Sequence, residues 1–330
     1  MTMIDMHAHY LSPSVLREAS AGSVPVGLAP GGRSFLFPSG PSRPVPPPLC
    51  DLADRLHWMD ERAIERQILA PWMDITGDDL PPDAAAAWCR TMNDSCAADI
   101  GDEPRFGALA ALPVVDGEAA ARELVRSVEQ LGFCGGAIPT QVGGRDLDMA
   151  GLEPLWEAAG SLGTLLFMHP FRVLGGDRLK VHFLNNVCGN PFETTLAALR
   201  LYFARTFTGW PDLRILLAHG GGVLPMLAGR AAHASRHAPG FDRAVDDPDS
   251  ILQCFYYDTI LHDPRALTLL MNAVDPARIA AGTDYPFPMI IDRPTDHVRQ
   301  AADQAGLPED ALRRILSGTA QELLHSRASR

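Results

Sequence analysis

Short apolar segments alternate with segments of helical spacing along the whole chain, about eight times. The apolar segments predict strands at residues 3–6, 66–70, 106–112, 133–138, 164–168, 213–218, 252–259 and 278–281. The helical spacing predicts helices at residues 52–62, 82–100, 117–131, 151–162, 191–206, 223–237 and 264–273, with further helices from 294 to the C-terminus. Strands that alternate with helices pair in parallel. Eight such units therefore predict an α/β fold, a (β/α)8 barrel of the TIM type that takes up residues 1–330 as one domain.

Residues 12–48 interrupt this pattern directly after the first strand, and they are rich in proline and glycine. Such a composition excludes a long helix and is also found in disordered linkers. The apolar triplet Phe35, Leu36 and Phe37 favours an ordered insertion instead, with a small β-hairpin. Because insertions at this end of a barrel strand lie over the active site, we expect residues 12–48 to cover its mouth.

Five side chains that can bind a metal or transfer a proton each follow a predicted strand. His7 and His9 follow the first strand, two residues apart and so on one face. His169, His219 and Asp284 follow three later strands. Taken singly, each has an ordinary explanation as a solvated or packed histidine or a turn aspartate. The C-terminal ends of barrel strands meet at one face, however, so we expect the five side chains to lie together.

Three imidazoles and one carboxylate are a suitable ligand set for one divalent metal. We predict His7, His9, His169 and Asp284 as the ligands, and zinc, manganese, cobalt or iron would suit them. A water molecule in an open position would have its pKa lowered toward about 7. His219 precedes three glycines, which allow a ligand to approach the backbone closely. We therefore predict that His219 acts as a general acid or base and not as a ligand.

Four motifs together resemble the amidohydrolase-related decarboxylases, of the aminocarboxymuconate-semialdehyde decarboxylase type. They are MIDMHAH at 3–9, FMHP at 167–170, LAHGGG at 217–222 and GTDYPFP at 282–288. The resemblance covers nearly the whole chain. It implies a distorted barrel with one zinc ion and the non-oxidative loss of CO2 from an unsaturated or aromatic carboxylate. It also implies that His219 and Asp284 are catalytic, with Asp284 also a metal ligand.

The same resemblance implies contacts with the substrate. Arg43 would grip a carboxylate through its planar fork, and Phe287 would face the substrate. Arg230 would reach into the site of a neighbouring subunit, which implies a homodimer. Two positions depart from the pattern, since Asn186 stands in place of a tryptophan and Arg172 in place of an acid. These exchanges predict a different and more anionic small-molecule carboxylate as the substrate.

Two alternatives remain open from the residues alone. A hydrolase or hydratase that acts on a C–C, C–O or C=C bond would use the same metal-bound water, and a non-catalytic metal-binding protein would share the ligands. The formal net charge of −12 argues against nucleic acid or an anionic membrane as partner. Six scattered cysteines, with no signal peptide and no membrane span, predict a soluble cytoplasmic protein.

Overall fold

The computed structural model describes residues 2–245 and 247–324, so His325 and the residues after it lie outside the described part. The strands, in chain order, are β1 (Met3–Tyr10), β2 (Gly27–Leu28), β3 (Phe35–Phe37), β4 (Gly40–Pro41), β5 (Ile64–Pro71), β6 (Phe106–Ala111), β7 (Gly135–Pro139), β8 (Gln141–Val142), β9 (Arg145–Asp146), β10 (Leu165–His169), β11 (Arg214–Leu217), β12 (Tyr256–Asp258) and β13 (Ile279–Ala280).

The α-helices, in the same order, are α1 (Pro13–Ala21), α2 (Leu52–Glu61), α3 (Pro82–Ile100), α4 (Gly117–Leu131), α5 (Glu153–Leu162), α6 (Asn190–Phe203), α7 (Thr206–Gly209), α8 (Leu224–His237), α9 (Asp249–Leu252), α10 (Pro264–Ala273), α11 (Pro294–Ala305), α12 (Glu309–Arg313) and α13 (Thr319–Leu324). Within the described residues, none of these helices is both long and apolar enough to span a membrane.

Eight strands form one parallel sheet in the order β1-β5-β6-β7-β10-β11-β12-β13, which follows the chain. Closure between the last and first strands uses irregular bonds in place of a regular ladder. The amide of Met6 donates to the carbonyl of Ala281 at 2.8 Å, and Ala8 forms a parallel bridge with Tyr285. The predicted (β/α)8 barrel is confirmed, and its seam lies beside the residues that carry the predicted ligands.

Alternate residues of the barrel strands pack on its two sides. On β10, Leu165 and Phe167 belong to an apolar cluster inside the barrel that also contains Ile68 of β5. Leu166 and Met168 belong instead to the cluster that contains the apolar residues of the surrounding helices. This alternation explains why the barrel strands read as continuous apolar runs, since both faces of each strand are buried.

The segment 12–48 contains more regular structure than we expected. Its first part is the nine-residue helix α1, which the hydroxyl of Ser12 caps by accepting from the amide of Ser14 at 3.2 Å. Strands β2, β3 and β4 then form a three-stranded antiparallel sheet in place of the predicted hairpin. Phe35 and Phe37 are buried and pack against Trp88 of α3, with ring centroids 5.4 Å and 6.2 Å away. These two phenylalanines therefore anchor the segment to the barrel, while Leu36 between them is exposed.

Two predicted strands differ in extent from the observed ones. The predicted strand 252–259 begins in helix α9 and a turn, because the amide of Phe255 donates back to Leu252 and only Tyr256–Asp258 have strand neighbours. The first strand does not end before His7 but runs through His7 and His9 to Tyr10. The other predicted strands and helices coincide with observed ones except at their ends.

Candidate active site

The structure brings His7, His9, His169 and Asp284 together as one buried group. Strand β1 carries the first two, His169 is the last residue of β10, and Asp284 follows β13. One ligand atom from each lies within 4.8 Å of all the others. The Nε2 atoms of His7 and His9 are 3.1 Å apart, and Asp284 Oδ1 is 3.4 Å and 3.6 Å from them.

The hydrogen bonds of the two histidines decide which of their nitrogens face the centre of this group. His9 Nδ1 lies 3.1 Å from the carbonyl oxygen of Pro71, which can only accept, so Nδ1 carries the proton and Nε2 presents a lone pair. His7 Nδ1 is 2.6 Å from a carboxylate oxygen of Asp258, so its Nε2 also points to the centre. Asp284 Oδ1 has no hydrogen-bond donor among the described residues.

These three acceptors fit a divalent cation. Buried acceptors this close together are unfavourable unless a proton or a cation lies between them, and a metal ion at their centre would satisfy all of them. An ion about 2.0–2.1 Å from each ligand atom would place those atoms roughly 3.0–3.4 Å apart. The observed separations of 3.1–3.6 Å are close to that range. The four residues can therefore hold a metal ion.

The protonation of the group agrees with this role. Burial lowers the pKa of His9 to about 3, with a further contribution from His7, and burial also lowers the pKa of His169 and His219. Burial would raise the pKa of Asp284, but its contact with His7 outweighs burial and lowers that pKa to about 2. Burial would lower the pKa of His7, yet its contacts with Asp258 and Asp284 raise it to about 10. A metal ion would replace the proton on His7, as ligand binding requires.

His219 lies beside the four residues in a strained backbone conformation. Its ring centroid is 5.3 Å from that of His7 and 5.1 Å from that of His169. Its φ is 56°, a region that residues other than glycine rarely adopt. Its Nδ1 has no hydrogen-bond partner within the described part of the chain. The predicted proton-transfer residue therefore faces the same cavity as the predicted ligands.

Asp258 is a functional residue that our sequence interpretation missed. It is buried, and Oδ2 accepts from His7 Nδ1 at 2.6 Å and from the amide of His219 at 2.9 Å. Its Oδ1 accepts from the amides of Gly220 and Ile260 at 2.7 Å and 3.0 Å. One carboxylate thus orients a predicted ligand and the backbone of the proton-transfer residue. The signal was available, because Asp258 also ends a barrel strand.

Asp5 forms a similar support below the ligands. Its Oδ1 accepts from the amide of His7 at 3.1 Å, and its Oδ2 accepts from Gln67 Nε2 at 2.7 Å and Thr283 Oγ1 at 2.6 Å. Burial raises the pKa of Asp5 to about 6 in spite of these bonds. The side-chain oxygen of Gln67 in turn accepts from Nη1 of the buried Arg55. This network ties the first strand to its neighbours on both sides.

A cavity of about 310 Å³ opens above the ligand group. Four of the five predicted substrate residues line it, namely Arg43, Phe287, Asn186 and Arg172. The Phe287 ring lies 5.2 Å from that of His9 and 6.5 Å from that of Trp72, so it gives one wall an aromatic face. The segment 12–48 contributes residues 37 and 39–43 to the lining. The volume is at the small end of the range for ligand pockets, about 300–1,000 Å³.

Both arginines of this cavity already bind carboxylates of the protein. Arg43 donates from Nε and Nη2 to the two oxygens of Asp74, at 2.5 Å and 2.7 Å. Arg172 donates from the same two atoms to Asp78, at 2.8 Å and 3.1 Å. Asp78 therefore neutralises the charge of Arg172, which weakens the reason to expect a more anionic substrate, and the contact of Arg172 with substrate stays a prediction.

Arg230 is exposed on α8, and within the described part of one chain it is not among the cavity-lining residues. A contribution from Arg230 would require a neighbouring subunit, so its role stays a prediction.

A family model described as Amidohydrolase matches residues 4–325, and the chain belongs to this family. Within it, the chain is 32% identical over 238 residues to a 2-amino-3-carboxymuconate-6-semialdehyde decarboxylase from Dictyostelium discoideum. This alignment covers 71% of this chain and 66% of the relative. It is 30% identical to a gamma-resorcylate decarboxylase from a Polaromonas species, over 97% of both chains.

The fold is also similar to that of solved decarboxylases. A dihydroxybenzoic acid decarboxylase from a Polaromonas species, with bound manganese and the inhibitor 2-nitroresorcinol, matches with a TM-score of 0.78 and 26% identity. The match covers 100% of this chain and 98% of that one. The relatives are thus decarboxylases by name, and the resemblance inferred from the four motifs is confirmed.

The contacts of Asp258 lead to a prediction about metal binding. Asp258→Ala should weaken metal affinity by roughly 10–100-fold, because His7 loses the carboxylate that orients its ring. Metal content after dialysis against a weak chelator, measured by atomic emission, would check this. Asp303→Ala, which removes an exposed acid from α11, is the matched control. Wild-type metal affinity in the Asp258 variant would contradict the assignment.

Proposed function

We propose that the protein is a metal-dependent, non-oxidative decarboxylase of an aromatic or unsaturated carboxylate. The observation that carries this proposal is the buried set of His7, His9, His169 and Asp284 with His219 beside it. The relatives named above support it, since they are decarboxylases by name. The hydrolase or hydratase alternative receives no support from those relatives.

The metal ion would be held by these four residues, and when bound it would supply a Lewis acid that draws in the substrate carboxylate and stabilises negative charge. Zinc is the ion that the sequence resemblance implies, and manganese is bound in the similar Polaromonas structure. The donor set suits either ion. We propose one divalent ion per site, and reconstitution with each metal would identify it.

The residues around the cavity would position an unsaturated ring or chain. Phe287 would contact one face, and Asn186 would offer its amide at the rim. We propose that the segment 12–48 acts as an insertion that covers the mouth of a single barrel domain. Arg43 of this segment, in its ion pair with Asp74, would form part of the outer end of the substrate site. Six free cysteines support a cytoplasmic location.

His219 would deliver the proton that the reaction consumes. The proton bonds to the carbon that carries the carboxylate, and the bond from this carbon to the carboxylate then breaks. As CO2 leaves, the electron pair of the broken bond returns to the unsaturated system. One proton is taken up and one CO2 is released in each turnover. The position of His219 beside the ligands, with Nδ1 unpartnered among the described residues, suits this step.

The direct test of this function is release of CO2 from a panel of hydroxybenzoates and unsaturated carboxylates. We expect CO2 release without incorporation of solvent ¹⁸O into the organic product. Chelation should abolish this activity, and zinc or manganese should restore it, because the metal ion that the four residues hold is needed to bind the substrate carboxylate. A product that contains solvent oxygen would favour a hydrolase, and full activity in metal-free protein would contradict the proposal.

A second prediction separates His219 from the ligands. His219→Ala should keep wild-type metal content but lose roughly 10²–10⁴-fold in kcat, the usual contribution of proton transfer. His57→Ala, which removes an exposed histidine from α2, is the control and should leave kcat unchanged. Loss of the metal in His219→Ala would make His219 a ligand.

We also propose that the enzyme is a homodimer. A second cavity of about 710 Å³ adjoins the active site, sharing Asn186 and His219 with it, and exposed apolar side chains lie around it. Met226 is 70% exposed on α8, and Arg230 lies one turn further along the same helix. An exposed apolar surface of this kind is typical of an interface. A second subunit that covers it would bring its α8 near the active site.

Mixed dimers would test whether Arg230 acts across such an interface. Arg230→Ala and His219→Ala homodimers should each have low activity. A dimer with one subunit of each kind has one whole site, because the subunit with intact His219 receives Arg230 from its partner. We expect activity to return when subunits exchange, with exchange verified by mass spectrometry of labelled chains. No return of activity would contradict the shared site and would assign Arg230 to its own barrel or to the surface.

A further inference from the structure

We propose that the site selects a monocarboxylate whose far edge carries hydrogen-bond donors, such as hydroxyl or amino groups, and rejects a second carboxylate at that edge. This inference rests on the proposed function and concerns the end of the cavity away from His7, His9, His169 and Asp284. It follows from how the charged side chains at that end are paired with one another.

Five charged side chains line the cavity besides Asp284, and their ion pairs are with one another and not with the four ligand residues; we call these five the outer wall of the cavity. They are Arg43, Arg172, Asp74, Asp78 and Asp79. Two arginines against three aspartates leave one negative charge at this end. The inner end can still bind a carboxylate once a divalent ion is bound, because the ion would accept an oxygen of that carboxylate as a ligand. The cavity therefore attracts a carboxylate at its inner end and opposes one at its outer end.

Arg172 is already paired with a carboxylate of the protein. Its two bonds to Asp78 hold a carboxylate that is 2% exposed, and Asp78 also accepts from the amide of Gly143 at 3.2 Å. The hydrogen bonds to Asp78 also raise the pKa of Arg172. A ligand that drew Arg172 away would leave Asp78 buried without its cation, which is strongly unfavourable.

Arg43 is restricted in the same way. Its Nε and Nη2 occupy both oxygens of Asp74, and the Asp74 side chain is only 11% exposed. The guanidinium also lies 5.8 Å from the Trp72 ring and 5.9 Å from the Phe287 ring. Two of the five N–H donors of the guanidinium are thus used, and Asp74 neutralises its charge.

Asp79 supplies the unmatched charge. Its Oδ2 accepts from the amide of Ser39 at 2.7 Å and lies 3.8 Å from Arg172 Nη2, whose closer partner is Asp78. The neighbouring lining residues Asn185, Asn186 and Asn190 add neutral amides. A carboxylate such as Asp79 accepts only, so it pairs with a hydroxyl or amino group and repels a second carboxylate.

The volume of the cavity brings both ends within reach of one small ligand. At about 310 Å³, the cavity suits a compact molecule, whose carboxylate would meet the ligand group while its opposite edge meets the outer wall. The sign of the group at that opposite edge should therefore decide binding.

Calorimetric titration of the metal-loaded protein would test this selectivity without requiring turnover. The probes are 2,4-dihydroxybenzoate and 4-amino-2-hydroxybenzoate against 4-carboxy-2-hydroxybenzoate, with 2-hydroxybenzoate as reference. We expect the first two to bind at least tenfold more tightly than the dicarboxylate. Equal affinities, a reversed order, or failure of all four to bind would overturn the inference.

A single substitution would test whether the charge of the outer wall causes this selectivity. Asp79→Asn keeps an oxygen that can accept from the amide of Ser39 but removes the charge. It should narrow the affinity ratio between the dihydroxy acid and the dicarboxylate at least threefold, and Asp83→Asn, an exposed acid of α3, should not. An unchanged ratio in Asp79→Asn would overturn the inference. CO2 release is measured on the same ligands, so binding in the expected order without CO2 would contradict only the proposed function.

Discussion

Strand β1 is hydrogen-bonded along both edges, and the candidate site depends on this. One edge pairs with β5, with register shifts at two places, while the other exchanges hydrogen bonds with the segment that follows β13. The amide of Asp284 donates to the carbonyl of His7 at 2.8 Å, so the bonds that close the barrel also place the carboxylate beside the imidazoles. Without this closure, side chains from the two ends of the chain would not meet.

Buried carboxylates then set the direction of the His7 ring and of the His219 backbone, and the carbonyl of Pro71 sets that of the His9 ring. Asp258 accepts from Nδ1 of His7 and from the backbone amide of His219, while Asp5 accepts from the backbone amide of His7. As a result the lone pairs of His7 and His9 face Asp284 across a short distance. This crowding of buried acceptors is unfavourable by itself and becomes favourable with a cation, which is the physical link between the fold and the proposed metal.

The outer end of the cavity is built differently from the inner end, where the ligand residues lie. There the arginines of two loops are neutralised by aspartates from a third, so that charged residues form the wall and fix its shape. Arg172 also lies within 3.3 Å of Ser39 Oγ in the segment 12–48. The inner end therefore serves the chemistry common to the decarboxylase relatives, while the outer end offers a place where substrates are distinguished.

The sequence by itself determined the barrel, its strand order and the five histidine and aspartate residues at strand ends. Those features depend on local periodicity and on the rule that parallel strands end at one face. Only the tertiary structure decided the rest. The position of Asp258 at a strand end was visible in the sequence, but its bond to His7 was not, and neither was the pair that Arg172 forms with Asp78, 94 positions away. A side chain's charge is visible in the sequence, but the partner that neutralises it depends on how distant loops fold together.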